Sequence, residues 1–242
     1  MPHHQHRPYG WTPPANAGQR RQKAARAMER LTREGVNLQP VHLEGRLVAR
    51  TFWGQAWCAN LESYSDYANR LPRGRSYLRD GAVCHLEIGR GRIRARVCGT
   101  RLYDVAINVR PLAARVWKQV KQRSTGRIRS LPELLSGRLT EQVLAVVTDR
   151  SGGLFPAPAD IELRCTCPDW AFMCKHIAAV LYGVGARLDQ QPELLFLLRG
   201  VDHTELLAAG ADAAVQAVLR GGERPRIAEA DVAEIFGLEL EE

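Results

Sequence analysis

The stretch Cys165-Thr166-Cys167-Pro168-Asp169-Trp170-Ala171-Phe172-Met173-Cys174-Lys175-His176 gathers three thiols and one imidazole within twelve residues. The order is Cys-x-Cys, a gap of six residues, then Cys-x-His. Side chains two apart on an extended strand point the same way, so Cys165 and Cys167 share a face. Cys174 and His176 fall in the opening turn of an expected helix, where the non-helical first residue lets both turn inward. The gap, begun by Pro168, is long enough to fold back. Four such ligands complete a tetrahedral zinc shell and leave no position for an activated water, so the expected Zn²⁺ is structural. Its binding energy is then folding energy for the surrounding unit. Three thiolates and a neutral imidazole leave the site with a charge of −1, beside Arg164 and Lys175, and a helix N-terminus also favours thiolate. Two other readings exist: the cysteines pack as small hydrophobes with His176 nearby by chance, or they hold an iron–sulfur cluster, which normally takes four cysteines.

Around this cluster the chain reads as α+β. Hydrophobic residues make up 45% and charged residues 25% of 242, an ordinary globular balance that excludes wholesale disorder and a disulfide scaffold. Residues 1–44 are expected to be a Pro- and His-rich disordered leader followed by a basic helix over 20–34, stopped by Gly35. Residues 45–150 form a basic α+β domain. Its aromatic segment 51–68 predicts a helix from Gln55 onward, and Pro72 and Gly74 mark 69–77 as a loop. A three-stranded antiparallel meander follows, Val83–Ile88, Ile93–Cys98 and Leu102–Val109, with Cys84 opposite Val97, Leu86 opposite Ala95 and Ile88 opposite Ile93. Cys84 should then face the apolar side and Cys98 the other; Cys58 and Cys84 read as core residues. Helices are expected at 112–123, 131–136 and 139–147. The break Ser151–Pro158 sets a domain boundary, beyond which 151–205 is a small zinc-stabilised strand-helix unit: a strand over Ile161–Cys165, then a helix from Cys174. There Ile177, Leu181, Val184 and Leu188 form one apolar stripe. Residues 206–242 are a helical segment with an acidic tail.

The pattern Cys165-x-Cys167, Cys174-x-His176 resembles the SWIM zinc finger, a Cys-x-Cys…Cys-x-His module of bacterial proteins, SWI/SNF-type helicase partners and plant transposases. The resemblance to bacterial SWIM proteins extends to Trp53-Gly54-Gln55-Ala56-Trp57-Cys58, to Tyr64–Tyr77 and to Leu188–Phe196, so that roughly residues 45–205 are covered. It implies a zinc-binding module that contacts DNA or other proteins, often alongside a SWI/SNF-type helicase. Only the four ligands carry over residue by residue.

The net charge of +8 conceals an asymmetry. Residues 1–150 hold 27 basic and 11 acidic side chains, a balance of +16, whereas 151–242 hold 7 and 15, a balance of −8. Basic candidates for nucleic-acid contact are Arg70, Arg73, Arg75 and Arg79, clustered with Tyr77 as a stacking group, and Arg92, Arg94 and Arg96 on the polar side of the hairpin. The plainer reading of these residues is a solvated sheet face and a loop folded on the protein's own carboxylates. A third run, Lys118, Lys121, Arg123, Arg127 and Arg129, reads more simply as an exposed helix end. The sequence holds no Gly-rich phosphate loop, catalytic carboxylate pair or nucleophile elbow, so an enzyme is not expected. Without a signal peptide or an apolar run of membrane-spanning length, the expected location is cytoplasmic. The leading expectation is a zinc protein bound to nucleic acid, DNA before RNA, through its basic part. The alternative is a protein-interaction adaptor, for example for a SWI/SNF-type helicase.

Overall fold

A computed structural model describes residues 16–64, 69–128 and 130–208; the leader before Asn16, Tyr67, Arg129 and the acidic tail lie outside the described residues. Four antiparallel strands form one sheet in the order β1-β2-β3-β4: β1 (Val83–Gly89), β2 (Arg92–Cys98), β3 (Leu102–Val109) and β4 (Ile161–Cys165). The meander closes through a two-residue turn in which Gly91 takes a φ of 67°, a conformation that favours glycine. β4 then pairs with β3, setting Ile161 opposite Val109, Leu163 opposite Ile107 and Cys165 opposite Val105. The expected boundary at Ser151 is therefore a loop within one sheet. Residues from Val41 to Leu206 share one apolar core, because the short β4 buries its inward side chains only by joining the strands already present.

The hairpin register is as expected for Leu86–Ala95 and Ile88–Ile93 but shifts between Val83 and His85, so that Val83, not Cys84, lies opposite Val97. This bulge turns Cys84 away from the main core. It packs instead with Cys98 and Ala24 in a small second cluster, joined by Ala27, Met28 and Leu102. The two cysteines thus share one side of the sheet rather than occupying opposite faces. Ala24, Ala27 and Met28 belong to α1 (Ala17–Arg33), whose first turn is closed by a reciprocal Asn16–Gln19 capping box. This helix covers one end of the sheet's outer face.

The inner face rests on α7 (Lys175–Leu188), which is reached after α2 (Phe52–Glu62), α3 (Leu71–Arg79), α4 (Ala114–Ser124), α5 (Leu131–Ser136) and α6 (Glu141–Val147), and is followed by α8 (Glu193–Arg199). The expected single stripe on α7 is too narrow a description: every residue from His176 to Gly185 is buried, because the sheet, α2 and α3 surround the helix. Small residues permit that crowding. A Cβ on Gly74 would collide with Ala178 and the backbone of Ala179, and one on Gly54 with the Gly185 carbonyl and Asp189. The loop expected over 69–77 is consequently a helix from Leu71. Pro72 occupies the first turn, where its missing N–H costs nothing, and Gly74 marks a close approach rather than a break.

Asp189 at the end of α7 accepts hydrogen bonds from the Arg50 N–H (2.6 Å), the Thr51 N–H (3.0 Å) and the Thr51 hydroxyl (2.8 Å), fastening the start of α2. Trp53 and Trp57 of α2 are buried and donate their indole N–H groups to the carbonyls of Leu134 (3.0 Å) and Leu181 (2.8 Å).

Gly74→Val should destabilise the protein by roughly 1–3 kcal/mol or more through overpacking against α7. Urea unfolding checks this, with Ser76→Ala on the exposed face of α3 expected to stay within about 0.5 kcal/mol of the parent.

Candidate metal centre

β4 ends on Cys165, Cys167 follows two residues later, and Cys174 is the N-cap of α7 with extended backbone angles, which places His176 in the first turn. The four ligand atoms all lie within 4.8 Å of one another. Nδ1 of His176 stands 3.9 Å from the Cys165 sulfur and 3.8 Å from the Cys174 sulfur. A tetrahedral zinc with bonds of about 2.3 Å to sulfur and about 2.0–2.1 Å to nitrogen requires edges of about 3.5–3.8 Å, so the donor set and its spacing fit the ion. These residues form a single Cys3His zinc site, and side chains take all four positions, which makes it structural.

The thiols are electrostatically unequal. Cys174 is brought down to about 4, first by a hydrogen bond from Cys165 and further by His176 and the Ile177 N–H, against the opposing effect of burial. Cys165 is pushed up by its hydrogen bond to Cys174 and by burial; Cys167 is raised chiefly by burial. A thiolate at a helix N-terminus among thiol donors is an arrangement in which a divalent cation can displace the shared protons.

The imidazole is oriented by aromatic rings. Tyr103 lies 4.5 Å from it at an interplanar angle of 30°, and Tyr77 meets it edge-on at 5.4 Å. On the far side Nε2 is buried without a hydrogen-bond partner among the described residues, and a Cβ on Gly99 would lie 2.8 Å from it. Neither Gly99 nor Tyr103 stood out in the sequence. The signal available was their place at the end of the meander, which only the fold brings to the helix start.

Tyr77 is therefore not a free stacking platform: it packs on His176 and carries Arg20 and Lys175 over its ring at 5.5 and 5.7 Å. The α3 arginines are mostly engaged within the protein. Arg70 pairs with Asp169 (3.5 Å), Arg75 bonds Glu62 and the Tyr182 hydroxyl, and Arg79 donates to the Arg46 carbonyl. Arg73 is exposed. Arg92, Arg94 and Arg96 project from the outer face of the sheet, on the side away from α7 and α3, so the two arginine groups do not make one surface. Arg96 pairs with Asp104 at 3.5 Å. Arg164, expected beside the metal, turns outward to Glu162 at 2.6 Å. In the third basic run, Lys121 pairs with Glu205 and Arg123 with Asp149. Cys58 is partly buried, and desolvation pushes its thiol up to about 12.

Between the ligands, Trp170 is fully exposed (101%) and Phe172 about two thirds exposed (67%). Neither stands out from local pattern in the sequence. Two aromatics in a short loop closed at each end by metal ligands, with no element of their own to bury them, were the signal.

This geometry agrees with the comparisons to known proteins. Residues 152–184 match the SWIM zinc finger, so the chain carries a SWIM-type zinc module. It is also similar to the uncharacterized protein Rv2102 of Mycobacterium tuberculosis, at 34% identity over 177 residues, which cover 70% of this chain and 64% of that protein. The chain thus spans somewhat less than two thirds of that relative's length. No solved structure matches it. Among the described residues no helix is long and apolar enough to cross a membrane.

Metal analysis of the purified protein should return one zinc per chain. Cys174→Ser and His176→Ala should each lose it and lower Tm by about 10 °C, taking a loss of a few kcal/mol and about 2–4 °C per kcal/mol at this size. Gly99→Ala should weaken zinc retention against a competing chelator at least about tenfold while leaving far-ultraviolet circular dichroism unchanged, since its Cβ presses on the imidazole and on the Tyr103 ring that orients it, both at 2.8 Å.

Proposed function

We propose that this is a non-catalytic DNA-binding protein in which zinc holds the fold and the outer face of the sheet takes the phosphate backbone. The observation that supports this best is the row of Arg92, Arg94 and Arg96 along β2. They line an open groove of about 530 Å³ that also receives Arg164 and His85. Arg92 and Arg94 make no ion pair among the described residues and are exposed, so their guanidinium forks are available to phosphate oxygens. Arg96 and Arg164 rest on Asp104 and Glu162 at the surface, in weak pairs that a phosphate can replace. The absence of catalysis belongs to the same reading, because a metal whose four positions are filled by side chains activates no water.

Binding of labelled DNA should fall steeply with salt between about 50 and 200 mM, with a log–log slope of about −3 if three to four phosphates are neutralised. The double change Arg92→Ala with Arg94→Ala should flatten that slope by about 2 and weaken binding alike across sequences. Complete absence of binding at low salt would instead favour the adaptor role, with a protein such as a SWI/SNF-type helicase as partner.

A further inference from the structure

We infer that the loop between the zinc ligands makes this protein selective for single-stranded DNA, with Trp170 and Phe172 as the platforms on which unpaired bases stack. The inference rests on the phosphate-binding role of the sheet face and adds to it what the strand must look like. Of the four large hydrophobic side chains exposed among the described residues, two, Trp170 and Phe172, stand in this one loop. A soluble protein gains nothing from a fully hydrated indole, and a paired aromatic projection is the commonest means of gripping bases whose faces are open.

The loop is also held in place. Its ends are the ligands Cys167 and Cys174, and within it Asp169 accepts a hydrogen bond from the Ala171 N–H at 3.2 Å and pairs with Arg70, the N-cap of α3, at 3.5 Å. Trp170 lies between those two anchored residues, so little backbone freedom is lost when a base stacks on it. Position and charge complete the case. Phe172 borders a hollow shared with Asn108, Arg110 and Glu162, and Asn108 also lines the arginine groove, so the Phe172 end of the loop adjoins the basic face. Alternate residues of β2 project guanidinium groups about 6–7 Å apart, the order of the phosphate repeat along an extended strand.

A duplex hides its base faces and would engage the arginines alone; only a single strand can use both parts. The choice of DNA follows from the DNA-binding role of the sheet face, on which the inference rests.

The test uses the full, zinc-loaded chain with fluorescein-labelled oligothymidylate of roughly 20 nucleotides, a duplex of the same length and oligouridylate, read by anisotropy at low salt. The single strand should bind more tightly than the duplex. Trp170→Ala should weaken single-strand binding about tenfold, and Phe172→Ala about fivefold, with duplex binding unchanged, the range that losing a stacking platform produces. Trp170→Phe should restore most of the loss. Because both side chains are exposed, the variants should keep the parent's zinc content and Tm. If Trp170→Ala leaves single-strand binding unaltered, the loop inference is overturned while the phosphate-binding role of the sheet survives. Tighter binding of oligouridylate overturns the choice of DNA. If no nucleic acid binds, both readings fall and the aromatic loop belongs to a protein partner.

Discussion

The contact between one helix and everything around it governs this fold. α7 touches the sheet on one side and α2 and α3 on others, and it can do so only because Gly54, Gly74, Ala178 and Gly185 reduce the helices to near backbone contact. A helix buried on all sides has no solvent-facing stripe to register it, so its position along its own axis must be set at the ends. At the start, two zinc ligands tie it to β4; at the finish, Asp189 bonds the amides of Arg50 and Thr51 just ahead of α2. Zinc is therefore less an ornament on a finger than the peg that sets α7 in its slot. A strand of five residues at the sheet's edge gains the same anchorage from it.

That architecture also sorts the positive charge. The strongly basic balance of residues 1–150 does not make one cationic surface. The arginines of α3 instead turn to Asp169, Glu62, Tyr182 and a carbonyl, and stabilise the layer that packs on α7. Those of β2 have their alternating neighbours Ile93, Ala95 and Val97 in the core and so must point the other way. Strand alternation, rather than total charge, decides which guanidinium groups remain available to a polyanion. Phe172 of the zinc loop, on the far side of the break in charge, comes beside Asn108 and Glu162 because β4 carries the loop to the sheet's edge.

Much of this was legible beforehand. The ligand set followed from residue type and spacing alone, and the meander from period-two alternation, since both are local patterns. The failures share a cause. Pro72 and Gly74 have the same local meaning in a loop as in the first turn of a closely packed helix, and only the presence of α7 distinguishes the two. The bulge at Cys84 breaks alternation by one residue, and nothing near it in the chain announces a helix arriving from residues 17–33 to cover the displaced side chain. Tyr77 looked like a surface aromatic among arginines until the fold brought His176 to its edge. Trp170 lies in a loop without periodicity, so no local pattern reveals its exposure. The domain line at Ser151 failed because a charge reversal and a Gly/Pro loop describe the chain's surface, while cores are defined by burial.

The small cluster beneath α1 has a further consequence. Ala24, Cys84 and Cys98 pack apart from the main core, and the salt bridge from Arg20 to Asp80 is a further tether of that helix. Packing in a separate cluster lets α1 open locally without opening the layer around α7. Its amides would then exchange with solvent through a local excursion, and each excursion would lengthen the exposed outer face of the sheet by the width of one helix.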